Sequence, residues 1–482
     1  MFFSVFTLGC KLNQLETEAI ADSFYREGFS LIPWNRLGQQ SQKTSSSGKP
    51  ALVLINTCTV TSMAEQKARR IIRKALKEQP QACLIVTGCY AQMDVDALAA
   101  LDGGSGRLFV IPGEMKDRLL DLPHFLAQAV PMEELDIPNL ISSWLTHSVP
   151  SVAKNNLFEI SSEGTFRFAP ETFTSHSRAF LKIQDGCDHR CSFCRVSLAR
   201  GANKSLNAKE VLSRLLSLEQ RGFSEAVITG VNISQYRDPQ VAGLPGLLNF
   251  LLKGTEKIRL RLSSIELDNK QECQSDEGGF GLGDAFFDVI TDQRIRPHFH
   301  LSLQSGSASI LAKMGRAYSP ADIVEFVSCL RRSRDDPFIA CDIIAGFPGE
   351  TENDFEETAA LCEGIGFAWI HAFHFSPRPG TAAAGFPGQV SGKEKARRVD
   401  ILSGLARKGR LEYLRCWQGR EVEAIVETGG DCNKGFVPAV SENYLKLKIM
   451  CGQGKAPAPG SLVRCRILRG EDERFDALAE MA

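Results

Sequence analysis

Asp185-Gly186-Cys187-Asp188-His189-Arg190-Cys191-Ser192-Phe193-Cys194 places three cysteines at C-x-x-x-C-x-x-C spacing in one short stretch. Thiolates at this spacing converge in a single loop, and they suit soft metals and iron–sulfur clusters. A four-iron cubane needs one ligand per iron, so Cys187, Cys191 and Cys194 would leave one iron open to a small molecule with amino and carboxylate groups. A structural zinc site usually closes with four ligands. His189 is the available fourth, but its position between the cysteines is unlike the usual zinc patterns. A cluster is therefore the leading reading, with structural zinc or plain buried thiols as alternatives.

Around this loop, apolar runs alternate with helical patterns. Candidate strands are 180–184, 226–229, 258–262, 299–303, 339–344 and 369–375, and helical patterns include 208–220, 285–291, 321–332 and 352–364. Six such units predict an open or partial (β/α) barrel, whose functional residues belong at the carboxyl ends of the strands. The cysteine loop follows the first strand. Thr229 and Asn232 follow the second, Ser264 the third, Gln304 the fourth and Gly346 the fifth. These five are the candidate cofactor-binding residues, because glycine permits close backbone approach and the polar side chains can hydrogen-bond a ligand. Asp342 and Glu350 are further candidate polar contacts, with a structural role as the alternative.

Residues 1–130 repeat one local pattern three times. A short apolar run ends in Gly9-Cys10, another in Asn56-Thr57-Cys58 and a third in Thr87-Gly88-Cys89, with helical patterns at 15–27 and 64–76 between them. Strand–helix alternation predicts a doubly wound parallel sheet, and ligands of such sheets gather outside the carboxyl ends of the strands. Cys10, Cys58 and Cys89 would then meet at one edge as ligands of a second cluster, three buried thiols being the plain alternative. Cys83 opens its strand and reads as core. Residues 39–50 are polar and Ser-rich, a loop composition. Lys67, Arg69, Arg70, Arg73, Lys74 and Lys77 make the second helix basic, which is either a solvated face or an RNA contact.

Residues 131–172 carry several prolines and little periodicity, and read as a connector. The barrel occupies 173–410. After a basic stretch at 393–420, residues 411–482 show short strand patterns at 422–426, 435–440, 444–449 and 461–468, which predicts a small β-barrel. Residues 268–283 read as a surface loop with Cys273 incidental. Cys329, Cys341 and Cys362 read as core, and Cys416, Cys432, Cys451 and Cys465 suggest no third metal site.

The chain has 482 residues with 56 basic and 57 acidic side chains, so any nucleic-acid surface must be local. The 15 cysteines are an odd number, which rules out a complete set of internal disulfides and points to a reducing cytoplasm and metal ligation. Residues 1–10 lack the basic start and the apolar length of a signal segment, and no stretch reaches the length of a membrane span.

Thr7-Leu8-Gly9-Cys10-Lys11-Leu12-Asn13-Gln14, the Cys58 and Cys89 motifs and the Cys187–Cys194 loop together resemble the radical S-adenosylmethionine (SAM) methylthiotransferases. So do Asp342-Ile343-Ile344-Ala345-Gly346-Phe347-Pro348-Gly349-Glu350-Thr351, Leu303-Gln304-Ser305-Gly306-Ser307 and Met314-Gly315-Arg316-Ala317-Tyr318. Gly-Cys-Lys-Leu-Asn-Gln is similar to the branch acting on N6-threonylcarbamoyladenosine in tRNA. Branches acting on isopentenyladenosine tRNA or on a ribosomal-protein aspartate are the alternatives. The family's Arg-Gly-x-x-Arg-Ser is Arg200-Gly201-Ala202-Asn203-Lys204-Ser205 here, which keeps the charge but loses the planar fork.

The resemblance implies one 4Fe-4S cluster on Cys187, Cys191 and Cys194 holding SAM, and a second on Cys10, Cys58 and Cys89 carrying sulfur. It also implies a C-terminal TRAM barrel that binds RNA, and methylthiolation of the adenine beside the anticodon in the tRNA anticodon loop. An electron donor and a sulfur source are then further partners, and no DNA or membrane partner is implied. Carbon 2 of an adenine is unactivated, so radical chemistry supplied by a cofactor is required. Phe193 and Tyr318 could stack the base, core packing being the alternative. An RNA-docking iron–sulfur electron carrier and a zinc-stabilised RNA-binding protein are the competing classes.

Overall fold

The computed structural model describes residues 1–34, 49–129, 136–146, 164–174, 176–267, 282–429, 435–451, 456–470 and 475–482. The Ser-rich stretch within 39–48, most of the proposed connector, the loop carrying Cys273, and Cys432 lie outside them. The chain divides into two compact units: Met1–Thr174 with Arg195–Ala202, and Ser175–Cys194 with Asn203–Ala482.

In the first unit β1 (Phe2–Thr7), β2 (Ser30–Leu31), β3 (Leu52–Thr57), β4 (Cys83–Gly88) and β5 (Leu108–Val110) form one sheet in the order β2-β1-β3-β4-β5. Every pairing is parallel. β3 and β4 are buried along their whole length, as expected of central parallel strands covered on both faces. One layer is made by α1 (Lys11–Arg26), α5 (Leu122–Gln128) and α6 (Ile137–Thr146), whose Ile20, Phe24, Leu126 and Trp144 pack with Leu52, Leu54 and Ile85. The other is made by α2 (Ser62–Glu78), α3 (Cys89–Met93) and α4 (Val95–Ala99), with Ala68, Ile72, Ala91 and Leu98 against Val53, Ile55 and Val86. A short helix α7 (Val196–Arg200) also belongs to this unit. The basic side chains Lys67, Arg70, Arg73, Lys74 and Lys77 of α2 are exposed, and Arg69 reaches the Tyr90 hydroxyl at 2.5 Å.

In the second unit β6 (Ala179–Lys182) leads through β7 (Gln184–Asp185) and β8 (Lys204–Ser205) to α8 (Ala208–Gln220), β9 (Glu225–Thr229), α9 (Gly243–Gly254) and β10 (Arg259–Leu262). β11 (Ser264–Ile265), α10 (Asp284–Val289), β12 (His298–Gln304), α11 (Ala308–Met314), α12 (Pro320–Ser333), β13 (Phe338–Ala345), α13 (Glu352–Ile365), β14 (Trp369–His374) and α14 (Gly392–Trp417) follow. β6, β9 and β10 pair in parallel, as do β11 to β14, with a break at Ser263 between the two runs. This is the partial barrel expected from the sequence.

Five strands, β15 (Glu421–Val426), β16 (Phe436–Ser441), β17 (Lys446–Met450), β18 (Leu462–Gly470) and β19 (Ala477–Met481), close a small barrel in the order β15-β16-β17-β19-β18. The sequence reading found four of these strands. β19, Ala-Leu-Ala-Glu-Met, is too short and too alanine-rich to have declared itself. This barrel shares one core with the larger one: Phe338, Ala340 and Ala368 pack with Tyr413, Trp417, Val422, Leu447 and Ile467.

α14 lies on β14, and Gly409 makes that possible, since a Cβ there would stand 2.0 Å from the Phe367 carbonyl oxygen. Cys341 and Cys362 are buried as expected. Cys329 corrects its core assignment: it is half-buried at the helix surface, where an Arg332 guanidinium N–H lies 2.9 Å from its sulfur.

Candidate active site

In the first unit the three cysteine-bearing turns meet at the carboxyl edge of the sheet. Register pairs Thr7 with Asn56 and Thr57 with Gly88, so β1, β3 and β4 end level with one another. Cys10 is the N-cap of α1, Cys58 follows β3 directly, and Cys89 opens α3. Helix start and strand end are both forced at Gly88, which adopts φ +103°; a Cβ there would stand 2.3 Å from the Thr57 carbonyl oxygen. Gly9 adopts φ +111°, and a Cβ on it would stand 3.2 Å from the Cys58 sulfur.

Buried amides tie the edge together. Asn13 Nδ2 donates to the Leu8 and Thr57 carbonyls at 2.8 and 3.0 Å, and Asn56 Nδ2 donates to the Asn13 carbonyl at 3.0 Å. Thr57 Oγ1 donates to the Thr87 carbonyl at 2.6 Å. Arg200 of α7 completes the set, donating to Asn13 Oδ1 at 2.8 Å and to Glu16 Oε1 at 2.9 Å, while Lys116 holds the other Glu16 oxygen at 2.5 Å. Arg195 pairs with Glu65 at 3.1 Å. Burial pushes the Cys58 thiol up to about 12, the negative charges of Cys89 and Cys10 add to this, and the Arg200 guanidinium opposes it. The three sulfurs thus feel one another's charge, and a cationic partner would draw their thiolate forms together.

In the second unit the Cys187 loop is held from four sides. Gln184 Nε2 donates to the Gly186 carbonyl at 2.7 Å, Gly186 N–H donates to Asp185 Oδ1 at 2.8 Å, and Lys182 pairs with Asp185 at 2.5 Å. Asp188 N–H donates to Gln235 Oε1 at 3.1 Å. Ser192 N–H donates to the Met314 carbonyl at 3.0 Å, and the Ser192 carbonyl accepts from Ala383 N–H at 2.8 Å. Cys187, Cys191 and Cys194 are all half-buried. Burial pushes Cys187 up to about 11, with Cys194 and Cys191 adding to the rise and Arg316 opposing it.

Two groups beside the loop were not singled out by sequence reasoning, although Arg316 stands in a quoted motif. Arg316 pairs with Glu266 and lies 5.7 Å from the Phe193 ring centre, and Glu266 also stands 3.7 Å from His189 Nδ1. His189 is therefore turned toward a carboxylate. The alternation of half-buried and buried residues along β12 also carried a signal for His300, treated below.

The five candidate cofactor-binding residues meet different fates. Thr229 is buried at the end of β9, and its carbonyl accepts from Ile183 N–H at 3.0 Å. Asn232 donates to Glu266 Oε2 at 2.7 Å and caps the turn at Ser234, so its side chain is committed to the rim itself. Gln304 ends β12 at φ +72° beside a register shift, a left-handed conformation uncommon for a residue with a Cβ. Gly346 turns at φ +75°, where a Cβ would stand 2.3 Å from Lys395 Cγ. Its N–H donates to Glu350 Oε2 at 2.6 Å, and Glu350 pairs with buried Arg398 at 2.5 Å. Ser264 points away from the rim to His300 Nδ1, 2.6 Å distant. Tyr318 is buried with its hydroxyl on the Leu303 carbonyl at 2.9 Å, and is a packing residue. Lys204 is exposed.

Three cysteines at the carboxyl rim of a partial parallel barrel define a radical SAM enzyme, and residues 181–362 match the Radical SAM superfamily. Residues 3–104 match a family described as Uncharacterized protein family UPF0004. A threonylcarbamoyladenosine tRNA methylthiotransferase MtaB from Treponema pallidum is 39% identical over 96% of this chain and 97% of its own length. Proteins of the same name from Thermotoga maritima, 30% identical over 91% of this chain and 89% of that one, and Rickettsia prowazekii, 31% identical over 92% of each, are similar to it as well. The chain belongs to the threonylcarbamoyladenosine tRNA methylthiotransferase family. Among the described residues no helix is long and apolar enough to cross a membrane.

Proposed function

We propose that this protein converts N6-threonylcarbamoyladenosine at position 37 of tRNA to its 2-methylthio derivative, with 4Fe-4S clusters on Cys187, Cys191 and Cys194 and on Cys10, Cys58 and Cys89. The donor sets fit such groups: each is all sulfur, and each sulfur triad is cradled by backbone turns and buried amides. When bound, the two groups would supply one-electron chemistry on SAM and a sulfur for transfer, which an unactivated adenine carbon requires.

The chain's own work is positional. Lys182, Asp185 and Gln184 fix the start of the cysteine loop, and Ser192 fixes its middle. Asn13, Asn56 and Arg200 hold the second set of turns level. Exposed Lys446, Arg464, Arg466 and Arg469 on the small barrel offer cations to an RNA backbone. An electron donor and a sulfur source complete the reading, which places the protein in a reducing cytoplasm.

The gathering of Cys10, Cys58 and Cys89 at one sheet edge is the observation that supports two clusters over one. Anaerobic iron and sulfide analysis tests it: Cys187→Ala and Cys10→Ala should each remove about half the iron. Full iron in Cys10→Ala would leave a single cluster. Nucleoside analysis of a strain lacking the protein should show loss of 2-methylthio-N6-threonylcarbamoyladenosine with its unmethylthiolated precursor retained.

A further inference from the structure

The inner face of the β11–β14 sheet carries titratable groups that the reading above does not use. Register places Ser264 beside His300 and Asp342 beside His371, and His300 pairs with Ala340, two residues before Asp342. These four side chains therefore share one face. The alternation agrees: Phe299, Leu301, Leu303, Cys341 and Ile343 are buried on the other face, while His300 and Asp342 are partly open and His371 and Phe373 are exposed.

They also touch. Ser264 Oγ is 2.6 Å from His300 Nδ1, and His300 Nε2 is 3.2 Å from Asp342 Oδ1. The two imidazoles meet edge to face at 5.2 Å, and Phe373 stacks beyond His371 at 6.4 Å and 18°.

Below this layer the same face is sealed. His298 lies 4.2 Å from the Tyr444 ring, and Phe338 lies 5.1 Å from the Tyr413 ring, both in the core shared with the small barrel. Toward the carboxyl rim the same face carries half-buried Ser302 and Ile344. The polar layer is thus the floor of the barrel interior, four residues, or about 13 Å, below Gln304 along β12. A solvated sheet face is the plain reading, but it does not account for two histidines and a carboxylate drawn together on a floor sealed beneath by apolar packing.

The tautomer of His371 adds direction. Trp369 Nε1–H donates to His371 Nδ1 at 3.3 Å, so Nε2 carries the ring proton and is a donor. Partial desolvation and the neighbouring His300 lower the His371 pKa, and Asp342 opposes them. The floor therefore offers an N–H donor at His371, a carboxylate acceptor at Asp342 and a flat apolar ring at Phe373.

A threonylcarbamoyl group presents the complementary set: a carboxylate and carbonyl to accept, and ureido N–H and hydroxyl groups to donate. A dimethylallyl group presents none of these, and would leave the floor's polar groups dehydrated and unpaired. Resting on the functional reading above, we propose that Asp342 and His371 bind the threonylcarbamoyl substituent of the target adenosine, with Phe373 against the base, and that this floor selects the substrate.

The test is binding of one tRNA in two forms, with and without threonylcarbamoyl at position 37, to anaerobically purified full-length protein. The readout is the ratio of the two Kd values, so a general loss of RNA affinity or of folded protein cancels. Wild type should favour the modified form by about tenfold or more, as expected for paired polar groups in a partly dry site. His371→Ala and Asp342→Asn should bring the ratio close to one, and His371→Gln, which keeps a donor, should restore part of it. Variants that keep the wild-type ratio overturn the assignment while leaving the methylthiotransferase reading standing. A wild type that binds both forms equally also overturns it. If that wild type also makes no 2-methylthio product from the modified tRNA, the functional reading falls with it.

Discussion

Glu225→Gln should unfasten the second unit from beneath. Glu225 is fully buried at the start of β9 and is the shared partner of three arginines. Arg261 Nε reaches it at 2.6 Å, Arg296 Nε at 2.9 Å and an Arg178 guanidinium nitrogen at 3.7 Å. Arg261 also donates to the Ser441 and Glu442 carbonyls at 3.0 Å each, and Arg296 reaches Glu423 at 2.8 Å, so the network spans both barrels. Burial alone would raise the Glu225 pKa, but the arginines outweigh it and hold the carboxyl at about 2 against an ordinary 4.5.

That difference is worth about 3 kcal/mol of stability. Leaving buried guanidinium groups without their counter-charge gives a similar figure, about 3–5 kcal/mol. For a unit of this size the midpoint should fall by about 5–8 °C.

The pH dependence has a definite sign. A lowered carboxyl pKa contributes fully above pH 4.5, and the contribution fades as pH falls toward 2. The gap between wild type and variant should thus be constant from pH 5 to 8 and narrow in acid. Thermal melts of cluster-free protein, followed by tryptophan fluorescence, measure it without interference from cluster loss. A variant that melts within about 2 °C of wild type at pH 7, or a gap that does not narrow below pH 4.5, would refute the account of Glu225 as the network's hub.

Gly88→Ala forces a Cβ onto the Thr57 carbonyl at a left-handed backbone position, at a cost of about 3 kcal/mol or more. Purified anaerobically, it should lose the iron assigned to Cys10, Cys58 and Cys89 and keep the rest; full iron content would contradict the role given to this turn. Arg200→Lys keeps the charge but not the fork that joins Asn13 to Glu16. It should release that same share of iron to a chelator several-fold faster than wild type, while loss from the Cys187 site proceeds at the wild-type rate.

What the sequence disclosed was whatever repeats or alternates. The three strand–Cys turns announced themselves because the same local setting recurs, and α8 falls where the periodicity places it, at Ala208–Gln220. α1 begins at Lys11, four residues before its apolar pattern, because Cys10 itself serves as the cap. α9 is not among the helical patterns read from the sequence because Gly243, Pro245 and Gly246 interrupt its start, although all three sit in the first helical turn, where proline is tolerated.

Rim motifs located the end of each strand but not the direction of each side chain. Asn232 spends its amide on Glu266 and on its own turn, and Ser264 faces the interior. The polar floor stayed hidden for a related reason. Its members lie on four strands, and only strand register makes them neighbours.

The shared core of the two barrels has a mechanical meaning. A nucleic-acid grip at the end of a loose tether would sample many distances from the chemistry it serves, and would choose a nucleotide only by recognising it. Here the small barrel, proposed above to hold RNA, grows out of the foundations of the larger one, through Tyr413, Trp417 and Tyr444. Under that proposal, span and angle between the hold on the RNA and the larger barrel are constants of the molecule. It works as a calliper, and cutting the chain before Glu421 would remove the jaw and expose the footing of the chamber in one stroke.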